Sequence, residues 1–163
     1  MARPGVRGTF SQPGPSHPAA GVRLARTLGL AFNLLLSLAH KEYTVADLNT
    51  VFSELRAIMA PYAEKLDAKT DVGTELYLDT KHLQKNKKPL FFGAVQVKKT
   101  YVSFHLMPVY LKPELLEGVS PELTARMQGK SCFNFASSDK LLFKELAGLT
   151  KAAYASYREQ GFV

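Results

Sequence analysis

LFFGAVQVKKTYVSFHLM, residues 90–107, consists of two runs of apolar, β-branched and aromatic residues separated only by the turn 98–100. Such runs are typical of β-strands, and a three-residue break between them predicts an antiparallel hairpin. Pro108 and Pro113 follow, and proline ends strand pairing because it lacks an N–H donor. The hairpin is therefore the centre from which the remaining elements are assigned.

Apolar spacing on either side of the hairpin predicts two further strands and three helices. The strands are residues 73–80 and 131–136, and the helices are Thr44 to about Leu66, residues 121–128 and residues 139–160. This order lacks the alternation of strands and helices typical of parallel sheets. We predict an α+β fold of two layers, a mainly antiparallel four-stranded sheet with the N- and C-terminal helices on one face.

Residues 1–40 differ in composition from residues 41–163, for which we predict a single α+β domain. The first 40 residues contain four arginines and no acid, and their Gly- and Pro-rich beginning predicts disorder. Their apolar run from Leu28 to Ala39 is shorter than the ~20 residues that span a membrane. The segment therefore has three interpretations: a signal peptide, an organellar transit peptide, or residues upstream of the true start.

The single cysteine, Cys132, excludes an internal disulfide and is typical of a reducing compartment. We therefore predict a cytoplasmic protein without a membrane partner, with export or an organelle as the alternative if residues 1–40 are a targeting segment. Most of the net charge of +7 lies in those residues, because residues 41–163 hold 17 Lys and Arg against 14 Asp and Glu. The charge is thus no argument for nucleic acid.

Gly129-Lys130-Ser131 resembles the end of a phosphate-binding loop but lacks the rest of that motif. The motif needs a glycine five residues before Gly129, where this chain has Thr124, and it opens a helix after a strand. Here the order is reversed. We interpret Gly129 as the residue that ends a short helix before the strand that contains Cys132.

Strand alternation predicts which side chains share a face of the sheet. One side receives apolar residues that would meet the helices: Leu76, Leu78, Val95, Val97, Val102, Phe104, Leu106, Phe133 and Phe135. The opposite side, open in a two-layer fold, receives Leu90 and Phe92 among mostly polar residues. Those that form our candidate binding face are Tyr77, Asp79, Gln96, Tyr101, Ser103, His105, Cys132 and Asn134.

Lysines cluster in the predicted loops 81–88 and 98–99. Nucleic-acid binding usually combines such charges with arginine or exposed aromatic residues, and residues 81–88 contain neither. We predict solvated loops that protect the sheet edges, and no nucleic-acid partner. Lys88 alone is kept as a candidate anion contact.

Residues 87–110 and 120–135, including KKPLFFGAVQVKKTYVSFHLMPVY and GKSCFNF, resemble the bacterial YdhG-like family of unknown function. The resemblance covers most of residues 44–160. It implies a compact α+β domain of frataxin-like fold, and some members are described as iron chaperones. The acids that could bind iron are Glu54, Glu64, Asp67 and Asp71, interrupted by Lys65 and Lys69, and this pattern departs from an acidic iron-binding ridge.

From these observations we predict a small binding domain that uses the open face for a small ligand or a protein partner. No cofactor, metal ligand or catalytic residue is assigned. A frataxin-like iron or metal chaperone is the first alternative. An enzyme that uses Cys132 with His105 is the second, because a thiol beside an imidazole can act as a nucleophile.

Overall fold

The computed structural model describes residues 45–163, so the predictions for residues 1–40 lie outside the described residues. Its strands are β1 (Asp67–Val72), β2 (Glu75–Leu83), β3 (Pro89–Val97), β4 (Val102–Leu106) and β5 (Cys132–Phe135). Its α-helices are α1 (Val45–Ala63), α2 (Met107–Leu111), α3 (Pro121–Thr124) and α4 (Lys140–Glu159), with a 3-10 turn at Pro113–Leu116. The α+β class is confirmed.

The sheet has five strands in the order β1-β2-β3-β4-β5, and each strand pairs with its neighbours antiparallel. The prediction of four strands missed β1 and extended the first helix to Leu66, three residues too far. Strand β1, with the sequence DAKTDV, has no apolar alternation because it is an edge strand with mostly exposed side chains. Main-chain pairing to β2 and a bidentate ion pair from Arg56 of α1 to Asp71 hold it instead.

Helices α1 and α4 pack on the same face of the sheet. Phe92 of β3 lies within 6.0 Å of the rings of Tyr62 in α1 and Tyr154 in α4, measured between ring centroids. Phe135 of β5 makes an edge contact with Phe143 of α4. The predicted core side chains of this face are buried, except that Val97 is only partly buried.

Side-chain hydrogen bonds cap the N-terminal ends of two helices. Asp139 accepts hydrogen bonds from the N–H groups of Leu141 and Leu142 and starts α4. Ser120 caps α3 through Leu123 N, and its own N–H and hydroxyl donate to Glu145 of α4. Helix α3 ends at Thr124, four residues before the predicted end.

A β-bulge in β3 overturns the predicted positions of Leu90 and Phe92. Leu78 of β2 pairs with Gly93, but the next residue, Asp79, pairs with Phe91, so Phe92 has no partner. The extra residue shifts the alternation by one position and turns Phe92 and Leu90 towards the helices. Both are buried, and Phe91 instead faces the open side.

Candidate functional site

The strand register places most of the candidate binding face in two rows across the sheet. The first row runs Tyr77, Ala94, His105, Cys132 from β2 to β5, and the second runs Glu75, Gln96, Ser103, Asn134. Neighbouring strands lie ~4.8 Å apart, so residues in one row are side by side. We call this side of the sheet the open face.

Four polar side chains of the open face contact one another and form what we call the thiol cluster: Ser103, His105, Cys132 and Asn134. The Sγ atom of Cys132 lies 2.9 Å from Ser103 Oγ, 3.4 Å from His105 Nε2 and 3.4 Å from Asn134 Oδ1. The thiol is placed to donate to Asn134 Oδ1. The amide nitrogen of Asn134 donates to Gln128 Oε1 at 2.7 Å, which extends the cluster to a residue that strand alternation did not indicate.

The environment of His105 disfavours its charged form. Burial, and secondly the positive charge of Lys98, lower the pKa of His105 below its ordinary value of 6.5. The imidazole is therefore neutral at pH 7 and can accept or donate one hydrogen bond. A neutral imidazole cannot stabilise a thiolate by its charge, although it can accept a proton from a thiol.

An aromatic pair lies at the β2 end of the first row. The rings of Tyr77 and Phe91 stack at 4.6 Å between centroids. Burial raises the pKa of Tyr77, with smaller contributions from Asp79 and Glu75, so the phenol stays protonated. Strand alternation could not predict that Phe91 lies on this face, because the alternation of apolar residues does not reveal the bulge that turns it there.

The candidate residues Gln96, Tyr101 and Lys88 lie outside the thiol cluster. Gln96 donates to Glu75 Oε1 and accepts from Lys98 Nζ. Tyr101 is half-buried in the turn before β4, and no hydrogen bond among the described residues joins its side chain to the thiol cluster. Lys88 is exposed in the turn before β3, where its main chain bonds to Asn86 and Gln84. Its role as an anion contact stays a prediction.

Asp79 is a buried carboxyl opposite Asp67 of β1. Burial raises its pKa above the ordinary 3.8, Lys69 opposes the rise and Asp67 adds to it. A carboxyl with a raised pKa stabilises the fold only while it is protonated, so its contribution is present below pH 3.8 and is lost as pH rises through the folded pKa.

We therefore expect Asp79→Asn, which carries no charge, to raise the midpoint of thermal unfolding at pH 7. The gain should shrink towards zero at pH 3, where Asp79 itself is protonated. Circular dichroism melts of the variant and the parent at the two pH values measure this. A lower midpoint for the variant at pH 7 would show that the carboxylate is stabilising.

The acids that could have formed an iron site are engaged elsewhere or isolated. Asp71 binds Arg56 and Asp67 binds Lys69. Within residues 45–163, no three His, Cys, Asp or Glu side chains are grouped so that they could hold a metal ion. None of the helices described there is long and apolar enough to cross a membrane.

Comparisons with other proteins do not identify the chain. It matches no protein-family model, no curated protein and no solved structure.

Proposed function

We propose that this domain binds a small organic ligand on the open face. The observation that carries the proposal is the first row of the register, in which Ala94 lies between Tyr77 and His105. Tyr77 and His105 lie about 10 Å apart by strand spacing, and only a methyl group stands between their rings. Because Ala94 is only 2% exposed, the side chains beside it close over this gap, which we call the slot, when no ligand is bound. A ligand would reach Ala94, the floor of the slot, after the half-buried side chains beside it move aside.

The walls of the slot suit a planar molecule with hydrogen-bonding groups. The Tyr77–Phe91 pair provides an aromatic surface on one side, and the neutral His105 with the thiol cluster provides donors and acceptors on the other. Binding sites typically combine apolar walls with a few placed polar groups in this way. The resemblance to the YdhG-like family implies an α+β domain, which is the observed class. Iron delivery, the first alternative, has less support because the described acids form no ligand set.

Ligand-observed NMR with a library of planar heterocyclic fragments tests the proposal. We expect hits that Ala94→Leu abolishes, since leucine fills the slot without removing a polar group. Tyr77→Ala should weaken them about tenfold, which corresponds to the loss of one aromatic contact and its buried area. Tyr110→Ala is the matched control, because Tyr110 is an exposed tyrosine of α2. Hits that survive Ala94→Leu would refute the slot.

The 3.4 Å contact between Cys132 Sγ and His105 Nε2 also favours one second function, nucleophilic thiol chemistry. The rate of alkylation by iodoacetamide distinguishes this function from ligand binding. In that reaction an S–C bond forms, iodide leaves and the thiol proton passes to solvent. For a binding site, we expect alkylation of folded Cys132 at pH 7 to be about tenfold slower than in the unfolded chain, because the thiol is half-buried and hydrogen-bonded.

The chain has one cysteine, so mass spectrometry follows Cys132 without ambiguity. His105→Ala is the informative variant. A folded rate above the unfolded rate, together with a fall in that rate in His105→Ala, would identify Cys132 as a nucleophile activated by His105 and favour the enzyme hypothesis over the binding one.

A further inference from the structure

A cavity lies in the helix layer, between the C-terminal parts of α1 and α4. Its volume is about 320 Å³, near the lower end of the range for small-molecule sites. Its lining includes two tyrosines and three basic residues: Tyr62, Lys65, Lys151, Tyr154 and Arg158. No acidic side chain lines it. It is separate from the open face, because the helices cover the other side of the sheet.

The tyrosines form a fixed aromatic wall. Their ring centroids are 4.9 Å apart, and both rings rest on Phe92 of the core. Burial, and secondly Tyr154, raise the pKa of Tyr62, so its phenol remains protonated and can donate a hydrogen bond. Among residues 45–163, neither phenol forms a hydrogen bond, so no described side chain competes with a ligand for these two hydroxyl groups.

Within residues 45–163, no acidic side chain forms an ion pair with the three basic residues of the cavity. The ion pairs among the described residues join Arg56 to Asp71 and Lys69 to Asp67, and neither involves the cavity. Lys65 Nζ lies 5.6 Å from the centroid of the Tyr154 ring, so it is held over the aromatic wall.

The helix dipole explains only part of this arrangement. Lys65, just beyond the end of α1, and Arg158, in the last turn of α4, would each offset the negative end of a helix. That effect fades within one turn, and Lys151 lies two turns before the end of α4. Lys151, Tyr154 and Arg158 recur at steps of three and four, which places them on one stripe of the helix facing the cavity.

We propose that this cavity binds a small aromatic phosphomonoester. Its ring would lie against Tyr62 and Tyr154, and its phosphate oxygens would accept hydrogen bonds from Lys151 and Arg158, with Lys65 at the rim. A phosphomonoester carries up to two charges and three terminal acceptor oxygens, which suits three basic residues that form no ion pair among the described residues. The proposal is independent of the ligand proposed for the open face.

Isothermal titration of the full chain with phenyl phosphate at 0.15 M salt tests it, with inorganic phosphate and phenol as the charge-only and ring-only probes. We expect saturable one-to-one binding of phenyl phosphate and at least about tenfold weaker binding of either partial probe. Lys151→Glu and Arg158→Glu should each weaken phenyl phosphate about tenfold or more, since each removes a charged hydrogen bond and adds repulsion.

Lys144→Glu is the matched control, because Lys144 is exposed on α4 about 10 Å along the helix from Lys151 and outside the cavity. At this salt concentration its charge is screened over that distance, so binding should be unchanged. The absence of saturable binding of phenyl phosphate would overturn the proposal, as would an equal loss in Lys144→Glu. If inorganic phosphate bound as tightly as phenyl phosphate, the proposed contact of the ligand ring with Tyr62 and Tyr154 would be wrong.

Discussion

Phe92→Ala is expected to destabilise the domain by about 4 kcal/mol, as is typical for removing a fully buried aromatic ring. The ring of Phe92 has no exposed surface and contacts Tyr62, Tyr154 and Tyr157 of the two long helices. Alanine would leave a cavity at the junction of α1, α4 and the sheet. Urea denaturation followed by circular dichroism measures the change in the free energy of unfolding.

Phe91→Ala is the matched control for this prediction, since it removes the same side chain one residue earlier. Phe91 stacks on Tyr77 at the open face and is only half-buried. Its main-chain carbonyl, which accepts a hydrogen bond from the Tyr157 hydroxyl, is unaffected by the substitution. We expect a cost of about 1 kcal/mol, from one lost aromatic contact. A larger loss of unfolding free energy for Phe91→Ala than for Phe92→Ala would show that the bulge is misplaced.

Gly93→Ala is expected to cost about 3 kcal/mol, because the added methyl group would overpack the site beside the bulge. A Cβ atom at Gly93 would lie 2.6 Å from the main-chain oxygen of His105 and 2.9 Å from Met59 Cε. Met59 can move, but the carbonyl of a paired strand can do so only by distorting the sheet. The same shift would displace His105, so we also expect loss of fragment binding at the open face.

Gly148→Ala is the opposite case and serves as the control. Gly148 is exposed within α4, and nothing lies within 4 Å of a Cβ built there. Alanine should stabilise the helix by about 0.5–1 kcal/mol, because glycine loses more backbone entropy on folding. Chemical denaturation of both variants measures the pair. Equal effects of the two substitutions would contradict the close packing at Gly93.

The sequence predicted the parts of the fold that have strong local signals. The hairpin of residues 90–107 and the helices that begin near residues 121 and 139 follow from side-chain patterns within a few residues. Strand β1 could not be found this way, because an exposed edge strand is held by main-chain pairing and by the Arg56–Asp71 ion pair. The bulge at Phe92 is likewise a property of strand pairing rather than of composition.

The sequence predicted which residues of the candidate site share a face of the sheet, but not which of them are in contact. Alternation placed His105 and Cys132 on the same side of the sheet, and only the register of β4 with β5 makes them direct neighbours. The sequence pattern does not single out Ala94, because only strand pairing places its methyl group between Tyr77 and His105, where we propose the slot. Small residues acquire this role only when their cross-strand neighbours are known.

The measurement that tests the central claim most directly is amide chemical-shift mapping of ¹⁵N-labelled protein with the fragments that bind. We predict that the largest shifts fall on Tyr77, Ala94, His105 and Cys132, that they saturate with one affinity, and that Ala94→Leu removes them. Saturating shifts confined to other residues, or unchanged in Ala94→Leu, would contradict a ligand site on the open face.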